Sequence, residues 1–165
     1  MNGKLESKNK RLVLRLYEEA WGKGNLDVVD EVFAPRHVLQ WNELVASQQN
    51  RSTSEVKAIV VEYREAFPDL KVTVDDLVEE GEKVAVQVTF TGTHLGPYQG
   101  FQPTRKRSRF TDMQILRFED GRIVESSLGS GGLKCFFRFS MEVSSRGDDD
   151  GGPRAELECS RSRGK

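Results

Sequence analysis

The sequence predicts an α+β fold, with helices packed on one face of a curved antiparallel sheet. Two observations carry this expectation. Before Phe67 the clear apolar periods are three and four, the spacing of a helix face. From Leu70 onward the period becomes two, the spacing of strands with one buried face. Helices grouped ahead of strands, rather than alternating with them, separate α+β from a parallel α/β sheet.

Each element has its own signal. In residues 9–21, Leu12, Val13, Leu16, Tyr17, Ala20 and Trp21 share a helical face, and Asn9 is the expected N-cap. Gly22 and Gly24 end that helix. A second short helix follows Asn25, with Leu26, Val29, Val32 and Phe33 on one face and Pro35 as its stop. Residues 36–45 have no clean period and are compatible with a short strand. Ser52 and Glu55 fit a capping box, and a helix runs on to Phe67 before Pro68-Asp69 breaks it.

The strands follow. Leu70, Val72 and Val74 alternate with polar residues, and Gly81 marks a hairpin turn. Val84, Val86, Val88 and Phe90 share one face of the next strand. Residues 92–104 form a loop rich in Gly, Pro and aromatics. Over 107–118, Phe110, Asp112, Gln114, Leu116 and Phe118 point one way; Arg109, Thr111, Met113, Ile115 and Arg117 point the other. Asp120-Gly121 is a strong turn signal, and another strand starts at Arg122. Residues 133–143 alternate again and predict a last amphipathic strand.

Composition limits the function classes. The chain has 165 residues, natural for one domain. Lys plus Arg is 25 and Asp plus Glu is 26, a formal net charge of −1, so overall charge does not drive nucleic-acid binding. No apolar stretch approaches the ~20 residues of a membrane span. The charged N-terminus lacks a signal-peptide core, and Cys135 and Cys159 give no disulfide framework or zinc spacing. The expectation is a reduced, cytoplasmic, soluble protein with no metal, no cofactor, no nucleic-acid partner and no membrane contact. Residues 144–165 hold no aromatic and only Ala155, Leu157 and Cys159 as apolar residues, so they read as a disordered tail after a domain over 1–143.

Three stretches carry a resemblance. NKRLVLRLYEEAWGKGNLDVVDEVFAP, AFPDLKVTVDDLVEEGEKVAVQVTFTGTHLG and FEDGRIVE resemble SnoaL-like polyketide cyclases, also called ester cyclases, of the nuclear transport factor 2-like superfamily. The likeness covers about residues 9–125. It implies an α+β cone with a deep small-molecule pocket and homodimerisation through the sheet. It also implies cofactor-free aldol ring closure of a hydrophobic polyketide ester. Such chemistry needs a group that takes a proton from a carbon between two carbonyls and returns one to the ring oxygen. A carboxylate in an apolar pocket suits both steps.

The family's reactive pair is a His on the strand before the late hairpin and an Asp fourteen residues later. Here those positions fall on Gln114 and Leu128. Cyclase activity is therefore expected to be weak or absent. A non-catalytic ligand-binding or dimeric interaction module on the same cone is the alternative. Resemblance ends near residue 125, as a shifted reading frame or a divergent C-terminus would produce.

The surviving candidates are few. Asp112 shares a face with Gln114 and Phe110 and is the best remaining acid, although an exposed charge near a sheet edge, or a partner for Arg109 or Arg117, is the stronger expectation for it. Gln114 can orient a carbonyl. His94, at the end of its strand, is a base or hydrogen-bonding group if it faces the pocket, and otherwise a loop residue bonded to backbone. Tyr17, Trp21, His37, Trp41, Phe67, Phe101 and Phe110 are candidate substrate contacts, with ordinary packing the competing reading. The run Arg105, Lys106, Arg107 and Arg109 reads as a solvated basic face.

Overall fold

The computed structural model describes residues 7–41, 48–98 and 100–128, with the side chains of Gln40, Trp41, Gln48, Gln49 and Leu128 outside that description. The expected strand over 133–143 and the tail over 144–165 lie outside the described residues.

Helix α1 spans Lys8–Arg15. Its N-cap is Ser7 rather than Asn9: the Ser7 hydroxyl accepts from the Lys10 N–H at 3.1 Å. Asn9 instead donates to Glu79 at 3.2 Å. The helix continues as a wider π-helical segment, Leu16–Trp21, which buries Leu16, Tyr17 and Ala20. Wider winding leaves carbonyls at its end in need of donors. The Arg64 guanidinium supplies them, reaching Trp21 O at 3.0 Å and Gly22 O at 2.7 Å. Gly24, at φ 79°, then reverses the chain in a conformation that suits only glycine well.

Helix α2, Asp27–Val32, leads directly into β1, Phe33–Trp41. Pro35 thus sits inside a strand and not at a helix stop. It falls where the ladder to β6 is interrupted between Phe33 and Val38, so its missing N–H breaks no pairing there. Strand β2, Gln48–Ser52, had no sequence signal: QQNRS carries no apolar alternation. The Ser52–Glu55 capping box forms as expected and opens α3, Thr53–Ala66.

The remaining strands are β3, Lys71–Glu80; β4, Lys83–Thr93; β5, Arg107–Glu119; and β6, Arg122–Leu128. The sheet order is β2-β1-β6-β5-β4-β3. Every neighbouring pair is antiparallel except β1 and β6, which are parallel. The β5–β6 turn uses positive φ at both Asp120 (49°) and Gly121 (77°), the geometry that an Asp-Gly pair favours.

Period two decides which side chains face the helices. On β4, Val84, Val86, Val88 and Phe90 are buried; on β5, Phe110, Asp112, Leu116 and Phe118 are buried beside them. Val13, Leu16, Tyr17, Val28, Val29, Val32, Val56, Val60 and Phe67 close over this inner face. Each such side chain, fully buried, stabilises the fold by roughly 1.5–3 kcal/mol.

Candidate active site

Asp112 lies on the inner face of β5 and is 7% exposed. The expectation of an exposed charge is thereby corrected, because parity sets it opposite Val88, between Phe110 and Gln114. Its carboxylate is held in place locally. Met113 N–H donates to Oδ1 at 2.9 Å and the Gln114 amide donates to Oδ2 at 3.3 Å. Gln114 itself is half-buried and pairs across the ladder with Val86.

Aromatic rings build the surroundings. Phe90 and Phe110 stack with centroids 5.0 Å apart. Trp21 meets Phe90 at 5.5 Å and Tyr63 at 5.2 Å, both edge-on. Tyr17 approaches Phe90 edge-on at 6.4 Å. Tyr63 in turn contacts Tyr98 at 5.1 Å and Phe110 at 6.4 Å. Tyr17, Trp21 and Phe110 thus converge on Phe90. Phe90, Tyr63 and Tyr98 complete the group. Tyr63 was legible only as part of a helix face, and Tyr98 only as part of an aromatic loop.

The electrostatics follow from this enclosure. Burial, and then the Asp112 carboxylate, push the Tyr17 phenol far above its ordinary value. Burial also raises Tyr63 well above its ordinary value, with added contributions from Tyr98 and Asp112. Tyr98 is pushed up to about 12, chiefly by burial. A hydrogen bond joins the Tyr63 and Tyr98 side chains. All three phenols therefore keep their protons at neutral pH, one proton of the Tyr63–Tyr98 pair being held in the bond between them.

His94 has a different setting. It is fully buried, its Nδ1 accepts from the Thr104 N–H at 3.1 Å, and its ring lies 5.4 Å from Phe67. Its backbone closes the loop as well, through His94 N–H to Lys106 O at 3.0 Å and Arg105 N–H to His94 O at 2.9 Å. Burial pulls its imidazole below the ordinary value. These contacts match the loop-fastening role. Phe67 packs between His94 and Phe110, 6.5 Å from the latter. Phe101 pairs with Tyr98 through two backbone bonds, of 2.8 and 3.0 Å, and so supports the segment that places Tyr98 on Tyr63.

His37 is buried but is not brought to Asp112. It sits against Phe33 at 4.7 Å, just before Val38, which pairs with Glu125. Glu125 pairs with Arg117, five residues along β5 from Asp112, or roughly 16 Å at strand rise. Burial, then Arg51, hold the His37 imidazole below its ordinary value. Trp41 pairs by backbone with Leu128, and its side chain lies outside the described residues. Among the described residues no cluster of His, Cys, Asp and Glu could hold a metal ion, and no helix is long and apolar enough to cross a membrane.

The register contains one more relationship. Gln114 and Leu128 are direct partners across β5 and β6. A fourteen-residue spacing around the Asp120-Gly121 turn thus makes two positions neighbours on one face. Residues 11–128 match the family model for SnoaL-like polyketide cyclases. The chain belongs to that family. Its fold is the nuclear transport factor 2-like α+β cone.

Solved structures agree with this assignment. A candidate SnoaL-like polyketide cyclase from Jannaschia sp. CCS1 is 28% identical, with a TM-score of 0.68, over 81% of this chain and 92% of that one. AclR, a candidate hydroxylase from Streptomyces galilaeus, is 27% identical, with a TM-score of 0.65, over 80% and 96% of the two chains. IdmH, a candidate polyketide cyclase from Streptomyces antibioticus, is 25% identical, with a TM-score of 0.66, over 82% and 99%. No curated protein matches the chain. In this SnoaL-like chain Gln114 and Leu128 are the positions onto which the resemblance maps the family's reactive pair, while Asp112 stands one inward position away from Gln114 on the same strand.

Proposed function

We propose that this SnoaL-like chain binds a hydrophobic, polyketide-like carbonyl compound on the inner face of the cone and carries out cofactor-free acid–base chemistry there. One observation carries the reading: Asp112 is buried on the inner face of β5, next to Phe110, instead of lying exposed. Membership of the cyclase family supports the substrate class.

The chemistry balances without any other reagent. The Asp112 carboxylate takes a proton from a carbon flanked by two carbonyls. The carbanion, stabilised as its enolate, attacks a second carbonyl carbon of the same molecule and forms the new C–C bond. The resulting alkoxide takes the proton back from the Asp112 carboxylic acid. Gln114 holds the carboxylate oriented and can share its amide with a substrate oxygen. Tyr63, kept protonated, turns its hydroxyl from Tyr98 to the enolate oxygen as charge develops there. Rings of Trp21, Phe90 and Phe110 bind the flat apolar body of the substrate.

A thermal-shift screen of aromatic polyketide esters and β-keto esters tests the substrate class. A compound that binds raises the melting temperature by mass action. Shifts confined to an unrelated class would overturn the assignment. The second reading, a ligand-binding module without turnover, is favoured by the absence of the family's His and Asp. It predicts binding without consumption of the ligand.

A homodimer through the outer face of the sheet accompanies this reading. Val78, Met113 and Ile115 are 58, 53 and 47% exposed there, and Ala85 sits between Val78 and Ile115 in the register. Such an apolar band gains by being covered. A dimer mass by sedimentation at micromolar concentration would support this, and a monomer would refute it.

A further inference from the structure

The outer face of the sheet divides into two bands. The apolar band holds Val78, Ala85, Met113 and Ile115. Toward the other end of the same strands, β3, β4 and β5 form an open groove of about 540 Å³. Arg107, Arg109, Thr73 and Thr91 line it with Thr89 and Asp75.

The donors in this groove are largely uncommitted. Among the described residues neither Arg107 nor Arg109 makes an ion pair, whereas Arg15, Arg117 and Lys57 are all paired. The carboxylate that feels Arg107 most clearly, Asp69, is itself taken up by Thr93, through its N–H at 2.6 Å and its hydroxyl at 2.8 Å. Thr89 is engaged with Asp75 and with Thr111. Thr73 and Thr91 make no side-chain hydrogen bond among the described residues.

We propose that this groove is a binding site for a single phosphate-sized oxyanion, a free phosphate or the phosphate of a small ester. Arg107 and Arg109 lie two apart on one strand face, roughly 6.6 Å, a spacing from which two guanidinium groups converge on one tetrahedral anion. Thr91 stands directly across from Arg109 in the β4–β5 ladder and adds a neutral donor. Asp75 leaves the groove with one net positive charge, which fits one anionic group and disfavours a polyanion such as nucleic acid. The site lies on the opposite sheet face from Asp112, so it is independent of the acid–base chemistry proposed there.

Inorganic phosphate is the probe. It is titrated into the ¹⁵N-labelled full chain at constant ionic strength, with chloride as the control anion. The site predicts saturable amide shifts centred on Thr73, Thr91, Arg107 and Arg109, and at least tenfold weaker binding in Arg107→Gln/Arg109→Gln. Lys83→Gln, an exposed charge outside the groove, should leave the affinity unchanged. Phenyl phosphate compared with inorganic phosphate separates an ester ligand from the free ion. Shifts that do not saturate, that chloride reproduces, or that survive the double substitution would overturn the site.

Discussion

Gln114 and Leu128 face each other across the β5–β6 ladder, fourteen residues apart in sequence and adjacent in space. Directly opposed residues in an antiparallel pair have Cβ atoms ~4.5–5.5 Å apart. An imidazole and a carboxylate placed at these positions could therefore hydrogen-bond. Restoring them as Gln114→His/Leu128→Asp should raise turnover of a polyketide ester at least tenfold over either single change. No gain in the double variant would mean that the positions do not correspond to the family's pair.

Removing one hydroxyl tests the donor role of Tyr63. Tyr63→Phe keeps the ring contacts with Trp21, Tyr98 and Phe110 and loses only the hydrogen bond. A donor to a developing oxyanion contributes about 10²-fold or more to kcat. The expected outcome is a lowered kcat with little change in KM. An unchanged kcat would leave Tyr63 a packing residue.

Both histidines make the fold acid-sensitive. Each imidazole is held below its ordinary value, first of all by burial. Below the unfolded value of ~6.5 the unfolded chain then takes up more protons than the folded one. Stability is complete above that pH and falls as pH drops through and below it. Urea midpoints at pH 7.5 and 5.5 should differ in that direction. His94→Asn, whose amide oxygen can accept from Thr104 as Nδ1 does, should lessen the fall. An identical pH slope in that variant would mean that His94 does not set the acid sensitivity.

Gly96 permits the close approach between its loop and the end of α3. Its N–H and that of Leu95 both donate to Ala66 O, and a Cβ at position 96 would stand 2.2 Å from Glu65 O. Backbone must shift to relieve such a clash. Gly96→Ala should cost about 1–3 kcal/mol and lower the melting temperature by several degrees. Equal melting temperatures would show that the loop moves freely.

Much of this was legible in the sequence because it depends on local signals. Ser52 and Glu55 fix the start of α3 by reciprocal hydrogen bonds within one turn. The Asp120-Gly121 turn and the alternation from Phe110 to Phe118 fix the faces of β5. Parity alone could therefore place Asp112 with Phe110, but it could not say which face was covered. That depends on α1 and α3 packing over β4, a tertiary fact. Strand β2 was illegible because its QQNRS lacks apolar residues and pairs only at the sheet edge, with β1. The π-helical winding at Leu16–Trp21 was hidden for a similar reason, since the carbonyls at its end, those of Trp21 and Gly22, accept from Arg64, more than forty residues away. The Tyr63–Tyr98 contact joins a helix to a loop, and no spacing rule connects them.

On the proposed function, Asp112 moves a proton on the inner face. The most direct test is the exchange of the carbon-bound proton of a β-keto ester in D₂O, followed by NMR with wild-type chain and with Asp112→Asn. Exchange should be accelerated by the wild-type chain and fall about 10²-fold or more in the variant, with the ester still bound. Exchange at the same rate in both proteins, or no acceleration by wild type, would contradict that role.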